Sequence, residues 1–209
     1  MDVVIPIVFP EYKISVATPP ISVDIFPAME FDNIAIPATK RRVSDLGHAG
    51  VLFINGRAGT TKYYEYGRYD AEALGVVRRV PLPNAAAADN KVKPASLKPV
   101  LRRVSRVAGQ NGRLEGVYIE VPLGSFDAML AYAEKRKLQN TRRTREPYSL
   151  FSNSCVHFAK QITEVAGVDT PWMVDPRPTS YAGEFRADFP DLDYRPRPDS
   201  LVIEGIGTF

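Results

Sequence analysis

A chain of 209 residues with 44% apolar and 10% aromatic side chains has the ordinary composition of a globular domain and is long enough to bury a core. Its 27 basic and 24 acidic residues leave a net charge of +3, too balanced to argue for a nucleic-acid partner. One cysteine excludes an internal disulfide, and one cysteine with two histidines falls short of the ligand set of a structural zinc site, so neither metal nor cofactor is expected.

The start, MDVVIPIVFPEYK, is apolar but has no basic leader and is broken by Pro6 and Pro10, so it does not read as a signal peptide. Residues 1–30 read as a β-rich N-terminal extension, with short strands at 3–8, 12–16 and 21–26 and a turn at Pro19-Pro20. Residues 31–46 are a polar approach to the clearest hairpin in the chain. Its strands are 47–54 and 62–69, and 55–60 (NGRAGT) supplies a turn rich in residues that accept positive φ.

A short strand is expected at 76–81 and a mobile loop at 85–93. Leu97, Leu101, Val104 and Ala108 recur at helical spacing, predicting a helix over 95–108 that Gly109 ends. Residues 116–121 alternate as a strand. Ser125 is placed to N-cap a helix through Leu138, with Phe126, Met129, Leu130 and Ala133 on its apolar face. A basic loop at 139–147 precedes a helix that opens near Cys155 and stops at Gly167. The Pro-rich tail, 169–209, reads as a surface wrap with an edge strand at 201–206. The whole chain, 1–209, is thus expected to form one domain, with no apolar run near the ~20 residues of a membrane helix and no stable membrane insertion.

Two basic clusters stand out: Lys91, Lys93, Lys98, Arg102, Arg103, Arg106 and Arg113, then Lys135, Arg136, Lys137, Arg142, Arg143 and Arg145. A solvated face is the ordinary reading of each, and a surface that attracts an anionic polymer or membrane is the sharper one.

A lone cysteine is ordinarily a small buried hydrophobe. Cys155, however, follows the capping candidates Ser152, Asn153 and Ser154 at the first turn of a helix, where free N–H groups and the positive helix end favour a thiolate. A thiolate nucleophile needs a base. His157, two residues on, points to the opposite side of the same helix, which leaves His48 at the start of the hairpin. Gly47 and Gly50 beside it would clear space for the Cys155 helix. The group that orients the imidazole is expected on the adjacent strand: Glu65 first, with Asp70 and Tyr69 as alternatives because the register opposite His48 is open by a residue or two.

The order of these parts, a histidine strand, a polar strand, then Asn153-Ser154-Cys155-Val156-His157-Phe158 opening a helix, resembles the circularly permuted NlpC-type papain-like hydrolases. More distantly it is similar to the lecithin:retinol acyltransferase relatives, from whose Asn-Cys-x-His-Phe pattern it departs by one inserted serine. Gly47–Leu52 with Tyr63–Asp70, and the Val4–Pro10 start, are similar to the TseH-like peptidoglycan amidase effectors of bacterial type VI secretion. The resemblance implies an α+β fold, an antiparallel sheet packed against the helix that carries the catalytic cysteine. It further implies a cysteine amidase or endopeptidase acting on peptidoglycan stem peptides, made in the bacterial cytoplasm and secreted into the periplasm of a target cell. An immunity protein and a secretion-apparatus carrier would be its partners. Two rivals stay open: a lipid acyltransferase or thioesterase, which needs an apolar groove beside Cys155, and a non-catalytic interaction module of papain-like shape, which needs an inert Cys155.

Overall fold

The computed structural model describes residues 1–15, 21–24, 33–36, 42–43, 47–69, 74–173, 175 and 177–209. Strand β1, Asp2–Phe9, is buried along nearly its whole length, with only Pro6 partly exposed. A strand apolar on both faces belongs inside a sheet covered on both sides. Two small ladders follow, β2 (Ile14–Ser15) with β5 (Arg42–Val43) and, nested between them, β3 (Ile21–Asp24) with β4 (Asn33–Ile36).

The hairpin is β6, His48–Ile54, and β7, Thr61–Gly67, extended by β8, Val76–Val80. The Asn55 side chain accepts the N–H groups of Arg57 and Ala58 at 2.9 and 3.0 Å and so shapes the turn. Beyond it come β9 (Ala87–Ala88), β10 (Lys91–Val92), helix α1 (Leu97–Val107), β11 (Leu114–Val117) and β12 (Ile119–Val121). Helices α2 (Ser125–Leu138), α3 (Cys155–Val165) and α4 (Pro178–Phe185) follow, then β13 (Asp191–Arg195), β14 (Ser200–Ile203) and β15 (Gly207–Thr208). The main sheet runs β15-β14-β13-β11-β1-β6-β7-β8, with β12 also on β1, and its pairings are antiparallel. The fold is α+β.

Alternation along the strands sorts the core into two layers. Val4, Val8, Val51, Phe53 and Tyr64 face α2, α3 and α4, whereas Val3, Ile5, Ile7, Leu52 and Tyr63 face α1.

Four expectations need correction. The first strand is the middle of the sheet and not part of an extension. Pro6 is tolerated there because the ladder on that side lapses opposite Pro6 and Ile5, between the Ile7–Gly116 pair with β11 and the Val4–Ile119 pair with β12. Residues 85–93 form the β9–β10 hairpin, with Ala85 and Val92 buried, in place of a mobile loop. The tail is no surface wrap: α4 buries Tyr181, Ala182 and Phe185, and β13–β15 extend the main sheet. Its prolines punctuate these elements, Pro178 opening α4 and Pro196 and Pro198 lying between β13 and β14. Finally, Ser125 is the first residue of α2 and makes no cap. The buried Asp2 carboxylate caps it from β1 instead, accepting from Gly124 N–H at 2.8 Å and Phe126 N–H at 3.0 Å, and from Gly56 N–H at 2.8 Å.

Candidate active site

Ser154 sets where α3 begins. Its backbone is extended, and its Oγ accepts the His157 N–H at 3.5 Å, so Cys155 is the first helical residue. The N–H groups of that first turn have no acceptor within the helix, and the helix dipole adds positive potential at the sulfur. Cys155 is only 4% exposed.

His48 opens β6, where Gly47 turns the chain at φ +62°. The imidazole stacks on its cross-strand neighbour Phe9, with ring centroids 5.7 Å apart and planes 15° from parallel, and Tyr12 lies 5.0 Å from it. The hairpin register pairs Gly50 with Glu65, which puts Glu65 on the strand beside His48 and on the same face. Nε2 of His48 is 3.2 Å from Oε2 of Glu65 and 2.9 Å from the Tyr69 hydroxyl. Two of the three proposed orienting groups therefore meet at one nitrogen, and Asp70 lies outside the described residues. With Nε2 engaged there, Nδ1 is the nitrogen left to face Cys155, and imidazole and thiol are near enough to shift each other's titration.

Gly50 has a different use from the one read in the sequence. A Cβ at that position would sit 2.1 Å from the Tyr63 hydroxyl oxygen, so the space is filled by the Tyr63 ring and not by the Cys155 helix. From there Tyr63 donates to Glu65 Oε2 at 3.0 Å, and Arg78 stands 3.6 Å from Oε1. The carboxylate is buried but fully partnered.

The electrostatics follow from these contacts. Burial opposes charge on His48, but hydrogen bonds and charge from Cys155 and Glu65 outweigh it and lift the imidazole to about 9. Burial likewise pushes the Cys155 thiol up, and its hydrogen bonds with His48, Tyr148 and the Ala49 backbone, together with the His48 charge, bring it below its ordinary value. Burial raises Glu65 too, yet His48, Tyr63 and Arg78 hold it below the usual carboxylate range. The pair favours thiolate and imidazolium.

Tyr148 and Asn153 belong to the site and were not assigned to it from sequence. The Tyr148 hydroxyl donates to Cys155 Sγ at 3.7 Å, and its ring stacks on Tyr66 with centroids 5.5 Å apart. Asn153 is buried and ties down the preceding loop. Its amide donates to Tyr66 Oη at 3.0 Å and to the carbonyls of Glu146 and Pro147 at 3.2 and 3.1 Å, while its Oδ1 accepts from Arg136 at 3.0 Å. The inserted Ser154 is what caps the helix. His157 turns away from the sulfur, with Nδ1 2.8 Å from Ser154 Oγ, and burial lowers its proton affinity. Among the described residues no group of three or more His, Cys, Asp or Glu is placed to hold a metal, and no helix is long and apolar enough to cross a membrane.

Residues 4–170 match the family model for type VI secretion system effectors described as TseH-like. The crystal structure of a type VI secretion system effector, TseH, is similar over 97% of this chain and 97% of that one, with 32% identity and a TM-score of 0.75. No curated protein matches the chain.

Proposed function

The chain belongs to the TseH-like family of type VI secretion system effectors, and from that premise we propose that it is a cysteine amidase or endopeptidase that cuts amide bonds in peptidoglycan stem peptides. One observation carries the reading: a buried thiol opens a helix, and the imidazole that shares its titration has Nε2 3.2 Å from a buried carboxylate. Glu65 accepts a hydrogen bond at Nε2, so that nitrogen carries a proton and Nδ1 is free to take the proton of Cys155. The thiolate attacks the amide carbonyl. The Cys155 N–H and a neighbouring donor stabilise the oxyanion. His48 then protonates the leaving amine, and water, activated by the neutral imidazole, hydrolyses the thioester.

The rivals fare less well. A lipid acyltransferase needs an apolar groove beside the nucleophile that can take an acyl chain, whereas the apolar cavity lined by Ala49 and Val156 holds only about 20 Å³. A non-catalytic module has no use for a lowered thiol coupled to a raised imidazole. An effector of this kind works in the periplasm of the target cell, carried there by the secretion apparatus, and an immunity protein guards the producer.

The test is digestion of purified bacterial peptidoglycan by wild type, Cys155→Ala and His48→Ala proteins, with released fragments read by mass spectrometry. New amine-terminated stem peptides from wild type alone are the expected result. Intact peptidoglycan after incubation with folded wild type removes the proposal.

A further inference from the structure

The second basic cluster of the sequence is not simply a solvated face. It folds around a cavity of about 340 Å³ whose lining includes Tyr66, Arg136, Arg142, Arg145, Glu146 and Asn153. Lys137 turns aside to pair with Glu134. Arg136 is fixed in the wall: its guanidinium lies 5.6 Å from the Tyr66 ring centroid and 5.8 Å from that of Phe158. It donates to Gln161 Oε1 at 2.8 Å, Asn153 Oδ1 at 3.0 Å and Tyr132 Oη at 3.4 Å. All three acceptors are neutral, so they orient the charge without cancelling it. Arg142 stands exposed at the rim, and its carbonyl accepts from the Arg145 side chain at 2.9 Å. Arg145 also donates to the Gly75 carbonyl at 2.9 Å. The Asn140 amide is spent on the Val77 N–H and carbonyl, at 2.9 and 2.8 Å. Among the described residues, the lining holds the guanidinium groups of Arg136, Arg142 and Arg145 and the carboxylate of Glu146.

The cavity is wired to the nucleophile. Asn153 lines it and stands two residues before Cys155 in the chain, and Tyr66 lines it and stacks on Tyr148, whose hydroxyl meets the sulfur. A planar guanidinium held rigid before binding is the group best suited to a carboxylate. Resting on the peptide-hydrolase reading above, we infer that this cavity is a substrate subsite for a carboxylate, so that the enzyme selects acidic peptides. A chain whose amide carbonyl sits at Cys155 places a neighbouring acidic group among the arginines.

The test uses Cys155→Ala protein, which binds without turnover. Muropeptides freed from purified peptidoglycan by a muramidase serve as the probe, native or with their carboxylates converted to amides, and binding is read by calorimetry. Native muropeptides are expected to bind about tenfold more tightly than amidated ones, as charge-assisted pairing implies. Adding Arg136→Gln should bring that ratio close to unity, and Arg142→Gln, at the exposed rim, should lower it part of the way. Equal affinities, no binding of either probe, or a preference unchanged by Arg136→Gln overturns the inference. Turnover separates it from the reading it rests on. Wild type that cleaves native and amidated muropeptides alike loses the subsite and keeps the activity. Carboxylate-dependent binding with no cleavage by wild type keeps the subsite and loses the hydrolase.

Discussion

Glu65 Oε2 lies 3.2 Å from His48 Nε2, and the carboxylate is 1% exposed. A buried carboxylate at that nitrogen selects one imidazole tautomer and steadies the imidazolium. Glu65→Gln keeps the shape and removes the charge. The amide can also present an N–H to Nε2 and favour the wrong tautomer. The expected loss in kcat/KM on peptidoglycan fragments is ~100-fold or more, with KM little changed. Steady-state kinetics check it, and near-wild-type turnover would strip Glu65 of its role.

Tyr148→Phe leaves the stack on Tyr66 and removes only the hydroxyl that donates to Cys155 Sγ. That bond is one of the contacts pulling the thiol below its ordinary value, after the His48 hydrogen bond and charge. The variant should label more slowly with iodoacetamide at mildly acidic pH, with its alkylation midpoint moved upward and its thermal stability nearly unchanged. An unmoved midpoint would make Tyr148 a packing residue alone.

Asp2 is fully buried and accepts three backbone N–H groups, from the hairpin turn at Gly56 and from Gly124 and Phe126 at the start of α2. Asp2→Ala leaves two donors on buried residues, Gly56 and Phe126, without an acceptor, whereas the third, on Gly124, is exposed to water. Each unsatisfied buried donor costs about 1–3 kcal/mol, so the variant should lose at least about 2 kcal/mol of stability. Guanidinium denaturation reads this directly, and a loss below about 1 kcal/mol would mean that water or local rearrangement replaces the carboxylate.

How far the sequence carries the reader depends on whether a contact is local. The NGRAGT turn brings Glu65 beside His48, and the cap before Cys155 marks a helix start, so their placement was legible in spacing, whereas the choice between Glu65 and Tyr69 was not, and both meet the same nitrogen. Tyr148 and Asp2 were not. Their partners lie on elements that meet only once the sheet and its helices are assembled, and no periodicity announces them. Pro6 misled for a related reason. Proline marks an edge strand unless the neighbouring ladder lapses opposite it, and the lapse at Val117 and Tyr118 is visible only once β11 and β12 are both paired to β1. Gly50 was read as room for a helix when its space belongs to the Tyr63 ring, a cross-strand contact that the register allows but composition does not reveal. In the tail the prolines drew attention away from the apolar positions of α4 and β13–β14 that complete the core.

The pH dependence of activity separates a coupled pair from two independent groups. His48 is lifted from an ordinary 6.5 to about 9, and Cys155 is lowered. Between those limits the thiolate and imidazolium coexist. As pH rises through about 9 the imidazole loses the proton it must deliver to the leaving amine, so kcat/KM falls. As pH drops below the thiol's depressed value the nucleophile is protonated, and kcat/KM falls again. The profile should be a bell whose upper limb lies near 9 and belongs to the pair. Stability carries the same signs. His48, raised on folding, contributes stability that is fully present below pH 6.5 and is lost as pH rises through about 9. Glu65, lowered on folding, contributes above its ordinary 4.5 and loses that contribution as pH falls through its folded value. Activity on peptidoglycan fragments across pH, with denaturant melts at matched pH values, checks both. A rate that climbs through pH 9 to an alkaline plateau would show an ordinary thiol deprotonating without its partner, and the ion pair would have to be abandoned.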